Sequence, residues 1–329
     1  MESILISKNE IDKILTMKDV IYCVEKTFSG FGEGTVENPP KVNLDLGIEK
    51  KWMQYNAGLN AMPAYIGWQK SAGLKWAGGW LDNPKKGLPF INAIILLVDP
   101  ENGHFKAVLE GSLITNMRTG AQSAVASKYL TNKRDITLGL YGCGVQGFYQ
   151  IKAFAEIFNI KELKLFDINP EAAENLAKNI GIEKSNKCTV SKKPEENAEA
   201  DIVVSVTHAT NKYIQKSWLN NGTIVFPLGS YLECSDELIL TADKIIVDHI
   251  GQCLHRGALK DLAEKGRITE KNIFATIGEV VSGKKPAFIT PIEQYVCIPI
   301  GTGAMDVSVA SFVYEKVKKS KSAGKYTFI

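Results

Sequence analysis

Ile136-Thr137-Leu138-Gly139-Leu140-Tyr141 runs directly into Gly142-Cys143-Gly144-Val145-Gln146-Gly147, and a helical stretch begins at Phe148. An apolar strand, a GxGxxG turn and a helix in that order form the opening of a Rossmann-type unit. Each glycine has a separate physical task there. The first permits the tight turn, the second lets a pyrophosphate approach the backbone, and the third lets helix pack on strand. The free N–H groups at the start of the helix then face the phosphate charge. Gly142, Gly144, Val145, Gln146 and Gly147 are therefore predicted to cradle a dinucleotide.

The pattern outward from this turn alternates. Strands are predicted at Ile136–Tyr141, Leu163–Phe166, Ile202–Val206, Ile224–Phe226 and Ile245–Val247, with helices at Val145–Phe158 and Pro170–Asn179. Short apolar strands alternating with helices imply an α/β fold with a doubly wound parallel sheet covered on both faces. Asp167 closes the second of these strands, about where a carboxylate meets the ribose hydroxyls of NAD and repels a 2′-phosphate. The other reading of Asp167 is a cap for the helix at Pro170, a task for which Asn169 is better placed. NAD is accordingly the expected cofactor. Thr207 and Gly229 follow two further strands at their carboxyl ends, where they either line the ligand crevice or serve only as loop residues.

The section before this unit reads differently. A helix is predicted over 10–31, followed by strand-like segments at Val42–Leu46, Trp52–Ala57 and Leu74–Trp76. A hairpin is predicted from Ile91–Val98 and Phe105–Leu109 around Pro100 and Asn102-Gly103. Helix Ser112–Leu130 leads into the α/β section, and a last helix over Ala304–Lys318 follows Gly301-Thr302-Gly303. A separate α+β domain is thus expected at 1–120, with the Rossmann domain at 121–302.

Composition narrows the classes. The 329 residues carry 39 basic and 36 acidic side chains, for a net charge of +3. The one dense basic run, Lys316-Val317-Lys318-Lys319-Ser320-Lys321, is a solvated tail rather than a nucleic-acid surface. The longest strongly apolar run, Ala93–Val98, is far too short to span a bilayer, so no membrane partner is expected. The first residues lack an export signal, and the six cysteines are scattered singly, which points to a cytoplasmic protein. No cysteine–histidine spacing suits a metal, and His249 and His255 read as ordinary surface or supporting residues.

Two cations stand out in the first section. Lys75 sits in Gly73-Leu74-Lys75-Trp76-Ala77-Gly78-Gly79-Trp80, among glycines and aromatic rings. It is either on an exposed strand face or desolvated, and desolvation would lower its pKa toward acid–base work. Arg118 suits a bidentate grip on a carboxylate, or an internal salt bridge.

The blocks Pro39-Pro40-Lys41, Gly73-Leu74-Lys75-Trp76, Asn83-Pro84-Lys85-Lys86-Gly87-Leu88-Pro89, Thr115-Asn116-Met117-Arg118-Thr119-Gly120-Ala121 and Gly301-Thr302-Gly303-Ala304-Met305-Asp306 occur in this order around the Gly142 turn. Together they resemble the ornithine cyclodeaminase/mu-crystallin family over nearly the whole chain. The resemblance implies a homodimer whose first domain, completed by 303–329, binds a small amino or imino acid. It implies hydride exchange between nicotinamide and the α-carbon of that acid, with Lys75 and Arg118 facing it and Lys41 holding its carboxylate. The family includes dehydrogenases, ketimine reductases, ornithine cyclodeaminases and a crystallin branch, so cyclodeamination and a non-enzymatic binding role stand as alternatives. Where cyclodeaminases carry a carboxylate for the δ-amine, this chain has Tyr231, with Glu233 a distant substitute. Phe90 likewise replaces a small hydroxyl residue. Both departures imply a more apolar pocket than ornithine needs.

Overall fold

The computed structural model describes residues 2–50, 52–229, 232–318 and 324–327, and the backbone alone over 181–184. The chain forms two compact units, Met1–Arg118 with Thr302–Ile329, and Thr119–Gly301.

The first unit opens with β1 (Glu2–Ile6), α1 (Lys8–Ile14) and α2 (Met17–Glu33). The single helix expected over 10–31 is therefore two. Thr16 ends one by starting the next, because its hydroxyl accepts the Asp19 amide while Asp19 accepts the Thr16 amide, a reciprocal capping box. Strands β2 (Val36–Glu37), β3 (Val42–Leu46), β4 (Ala57–Ile66), β5 (Ser71–Trp80), β6 (Ile91–Val98) and β7 (Phe105–Glu110) follow, and α3 (Ser112–Leu130) leaves the unit.

The strand expected at Trp52–Ala57 is not one, since regular pairing begins only at Ala57. Asp45 draws the preceding chain into a loop by accepting the amides of Gly47, Ile48, Glu49 and Lys50. Beyond it, the 10-residue β4 contains Gly58 and Pro63, small or breaking residues that hid it from periodicity.

In the second unit the chain runs β8 (Asp135–Tyr141), α4 (Val145–Ile157), β9 (Asn159–Phe166), α5 (Pro170–Lys184), β10 (Cys188–Val190), α6 (Pro194–Ala198), β11 (Ile202–Ser205) and β12 (Ile224–Pro227). It continues through α7 (Asp236–Leu240), β13 (Lys244–Val247), α8 (Ile250–His255), α9 (Lys260–Glu264), β14 (Ile273–Thr276), α10 (Ile277–Val281) and β15 (Tyr295–Ile298). The chain then returns to the first unit with α11 (Gly303–Val317) and β16 (Gly324–Thr327).

The sheet of the first unit has the order β16-β1-β7-β6-β5-β4-β2, with β3 also paired to β4. Alternation along β5 sends Ser71, Gly73, Lys75 and Ala77 to one face and Trp76 to the other. Helix α11 covers the first face: Ser71 Oγ meets Ser311 Oγ at 2.7 Å, and Gln69 donates to the Ser308 carbonyl at 3.0 Å. Met305, Val307, Val309, Ala310 and Val313 are all fully buried, as befits a helix that is apolar on most sides. The opposite face is open, with Trp76 and Ile94 47% and 41% exposed.

The second sheet, β10-β9-β8-β11-β12-β15-β13-β14, is parallel throughout. Leu138 and Leu140 of β8 stand beside Ile202 and Val204 of β11, all fully buried. Each such leucine contributes about 2 kcal/mol relative to exposure. Winding runs outward from β8 to β9 on one side and to β11 on the other, so the order reverses between β8 and β11. That switch point is where an open α/β sheet binds ligands, beyond the carboxyl ends of its strands. Among the described residues, no helix is long and apolar enough to cross a membrane.

Candidate active site

In the first unit, one carboxylate gathers the cations. Asp306, in the first turn of α11, is fully buried, and its Oδ2 lies 2.8 Å from Nζ of Lys75. Arg118 Nε lies 3.2 Å from each carboxylate oxygen, and Thr115 Oγ1 donates to Oδ1 at 2.9 Å. Thr115 and Arg118 are one turn apart on α3 and so present the same side of that helix. Lys75 is 2% and Arg118 7% exposed, so Lys75 is desolvated rather than on an open strand face, and of the two readings of Arg118 the geometry shows the internal salt bridge, formed beside Lys75.

Burial lowers the Lys75 ammonium to about 8, and the neighbouring Arg118 charge pushes the same way, against the pull of Asp306. Burial alone would raise the Asp306 carboxyl. The Arg118 and Lys75 charges, with hydrogen bonds from Lys75 and Thr115, overcome that and hold it below its ordinary value. The result is an amine with a pKa of about 8 held beside a guanidinium and a carboxylate. Such a group suits proton transfer to and from an amine or imine.

Lys41 lies half-buried in the segment before β3. Phe90 packs over Gly79, where an added Cβ would stand 2.9 Å from Phe90 Cζ. Positions 75 and 79 share a strand face, so this ring adds apolar surface to the side of β5 that carries Lys75. Tyr231 lies outside the described residues.

In the second unit, the three glycines divide the work as their spacing requires. Gly142 has φ +93°, and a Cβ there would also meet the Val206 carbonyl oxygen at 2.8 Å. A Cβ on Gly147 would stand 2.4 Å from the Gly142 oxygen, so this glycine lets α4 close on the turn. By contrast, a Cβ on Gly144 would meet nothing within 4 Å. The space it would fill lies at the N-cap of α4, where no side chain caps the helix and Val145 is 62% exposed. Open backbone at an uncapped helix start, with half-buried Gln146 in its first turn, fits a pyrophosphate.

Asp167 Oδ2 accepts the Cys143 amide at 2.8 Å, tying the strand end to the glycine turn, and Oδ1 accepts the Asn169 amide at 2.9 Å. The helix is capped instead by Asn169, which accepts the Glu171 amide at 3.2 Å. Burial, then the Asp167 charge, raise the Cys143 thiol to about 12, so it stays protonated and takes no part as a nucleophile.

Thr207 and Gly229 abut, since a Cβ on Gly229 would lie 2.1 Å from the Thr207 oxygen. Thr207 Oγ1 is 3.3 Å from the Tyr213 hydroxyl. Glu233 is fully buried and accepts the Gly229 amide at 2.8 Å and Ser205 Oγ at 3.1 Å. Its bonds therefore brace the loops after β11 and β12. His249 caps α8 through Nδ1, and His255 is exposed. Among the described residues, no group of three or more His, Cys, Asp or Glu side chains suits a metal ion.

Sequence reasoning left Asp306 and Thr115 without a role. The available signal was an acid between Met305 and Val307 at the start of an apolar helix, because such a charge is buried only when paired.

A family model described as ornithine cyclodeaminase/mu-crystallin family matches residues 1–321. The chain is 32% identical to the alanine dehydrogenase of Archaeoglobus fulgidus, over 100% of this chain and 99% of that relative. It resembles the solved archaeal alanine dehydrogenase dimer with bound NAD at a TM-score of 0.93, with 31% identity and 100% of both chains covered. It also resembles the Thermococcus litoralis Δ1-pyrroline-2-carboxylate reductase in complex with NADH and L-proline, at a TM-score of 0.87 and 31% identity, covering 98% of this chain and 99% of that one.

Proposed function

This chain belongs to the ornithine cyclodeaminase/mu-crystallin family, and from that premise we propose that it is an NAD-dependent oxidoreductase acting at the α-carbon of a small amino acid or its imine. The observation that carries this reading is the burial of Lys75 and Arg118 against one carboxylate, Asp306. Two cations in so dry a place are costly unless an anion completes them, and a substrate carboxylate is such an anion.

NAD held at the Gly142–Gly147 turn would supply a hydride acceptor for the α-carbon, and NADH a hydride donor. Arg118 and Lys41 hold the α-carboxylate and so fix the α-carbon, a positioning effect. Neutral Lys75 takes the proton that the substrate ammonium must lose before its α-carbon can give up hydride. In the reverse direction the substrate enters as its iminium, and protonated Lys75 returns the proton to the amine nitrogen once hydride has reached the α-carbon. Asp306 keeps Lys75 and Arg118 side by side. In the second unit, Gly142, Gly144, Val145, Gln146 and Gly147 accommodate the pyrophosphate, Asp167 the ribose, and Thr207 and Gly229 the adjoining edge. Phe90 favours a small or apolar side chain over that of ornithine.

The open face of the first sheet supports a homodimer. Ala61, Trp76 and Ile94 are neighbours across β4, β5 and β6, as are Leu74, Leu96 and Val108 across β5, β6 and β7. Such a continuous apolar strip is suited to a second copy of itself.

The test replaces Lys75 by Ala and follows NADH formation with L-alanine, NADH consumption with pyrroline-2-carboxylate, and ammonia release from ornithine. Loss of turnover by about 10²-fold or more, with NADH affinity held within a few-fold, is expected. Unchanged turnover removes Lys75 from the reaction. Ammonia and proline from ornithine without net NADH would replace the redox reading by cyclodeamination.

A further inference from the structure

The N-cap of helix α11 is Thr302, a residue type that ordinarily caps a helix with its own hydroxyl. Here it does not. Thr302 is 1% exposed, and its Oγ1 has no hydrogen-bond partner among the described residues. The amide of Ala304, at the second position of the helix, donates instead to Oδ1 of Asn38 at 3.0 Å. The cap comes from a segment distant in sequence, which also carries Lys41 three residues further on.

That segment has little slack. Pro39 and Pro40 separate Asn38 from Lys41, and each fixes its own φ near about −65°. Asn38 Nδ2 also donates to the Pro39 carbonyl at 3.3 Å. The start of α11 is equally constrained: a Cβ on Gly303 would meet the Met62 carbonyl oxygen at 2.3 Å, and Met62 is the β4 neighbour of Lys75. One hydrogen bond therefore ties the Lys41 segment to the turn that bears Asp306.

We propose that Asn38 is a positioning residue, a cap supplied from outside the helix that holds Lys41 in register with the Lys75–Asp306–Arg118 cluster and so sets affinity for the substrate carboxylate. This rests on the reading of Lys41 as a carboxylate anchor. It assigns Asn38 no contact with substrate.

The experiment uses the 329-residue chain with L-alanine and NAD, and with pyrroline-2-carboxylate and NADH. Asn38→Ala is expected to raise KM for the acid by about tenfold, because Lys41 loses its fixed place beside the cluster. Expected changes in kcat and NADH affinity stay within about twofold. Asn38→Asp, which keeps the acceptor oxygen, restores KM. Pro39→Gly keeps the cap but loosens the link, and also raises KM, which keeps the test open should Asn38→Ala fail to fold. Unchanged KM in Asn38→Ala, an equal loss in kcat and NADH affinity, or no rescue by Asn38→Asp overturns the proposal. Lys41→Ala separates the two ideas. If it leaves KM unchanged, the anchor reading fails; if it raises KM while Asn38→Ala does not, only the positioning role fails. If neither substrate pair is turned over by the unsubstituted chain, the functional reading fails. Amide exchange at Ala304, expected to quicken in Asn38→Ala, then decides the cap by itself.

Discussion

Lys75 Nζ and Asp306 Oδ2 are 2.8 Å apart with both side chains buried, and this pairing helps to keep a proton on Lys75 against burial and the Arg118 charge. The Asp306 charge and hydrogen bond raise the Lys75 pKa, against burial and Arg118, which lower it to about 8. Asp306→Asn removes the raising contribution, so the pKa falls below about 8. Amine oxidation needs neutral Lys75, and its kcat/KM rises with pH through that value; in Asp306→Asn this rise moves to lower pH. Imine reduction needs the protonated form, and its decline also moves to lower pH. The activity remaining on the plateau should fall about tenfold or more as the two cations lose their shared anchor. Full pH profiles in both directions check this, and a lower rate with an unmoved limb would leave Asp306 only a structural role.

Gly144 and Gly147 should fail in different ways. Gly144 has an ordinary φ of −85° and open space where a Cβ would go. Gly144→Ala is expected to keep its stability within about 0.5 kcal/mol, as at other open surface positions. Its affinity for NADH should nevertheless drop about tenfold or more, because the new methyl occupies the approach to the backbone. Gly147→Ala places a methyl 2.4 Å from backbone and should cost about 1–3 kcal/mol in thermal unfolding before any ligand is added. Equal NADH affinity in Gly144→Ala and the unsubstituted protein would remove the turn from the pyrophosphate site.

Asp167 serves the turn through the Cys143 amide, and its charge is what should discriminate between cofactors. Asp167→Asn retains an acceptor oxygen for that amide and removes the charge. The ratio of NADPH to NADH affinity, measured by cofactor fluorescence, should move toward NADPH by about tenfold as repulsion of the 2′-phosphate disappears. If the ratio stays constant while the protein remains folded, Asp167 acts in the turn alone.

What the chain disclosed in advance depended on distance along it. The Gly142–Gly147 turn was legible because strand, glycines and helix are contiguous, and the tight turn at Gly142 and the close packing at Gly147 reappear in the structure. The break between α1 and α2 was also local, written in Thr16 and Asp19, but the continuous run of apolar positions masked it. Strand β4 was hidden because Gly58 and Pro63 weaken its β character while pairing on both sides supplies the order. Asp306 could not be assigned a role because its partners lie 188 and 191 residues away for Arg118 and Thr115, and burial of a charge is settled only by tertiary packing. Asn38 was masked for the same reason, since Thr302 had the better local claim to cap α11.

Trp76 and Ile94 are cross-strand partners on the face of the first sheet that α11 does not cover, and both remain substantially exposed. If this face meets its own copy, Trp76→Glu places a charge in an apolar contact at both symmetry-related positions, and desolvating each carboxylate costs several kcal/mol. The folded mass measured by light scattering should fall from two chains to one at micromolar concentration. NADH affinity should change little, because the glycine turn belongs to a different unit with its own core. Lys75 neighbours Trp76 along β5 but points to the other face, so any loss of turnover should be regained at protein concentrations that restore the dimer. A substituted protein that stays dimeric, or an unsubstituted one that is monomeric at those concentrations, would assign this face to something other than self-association.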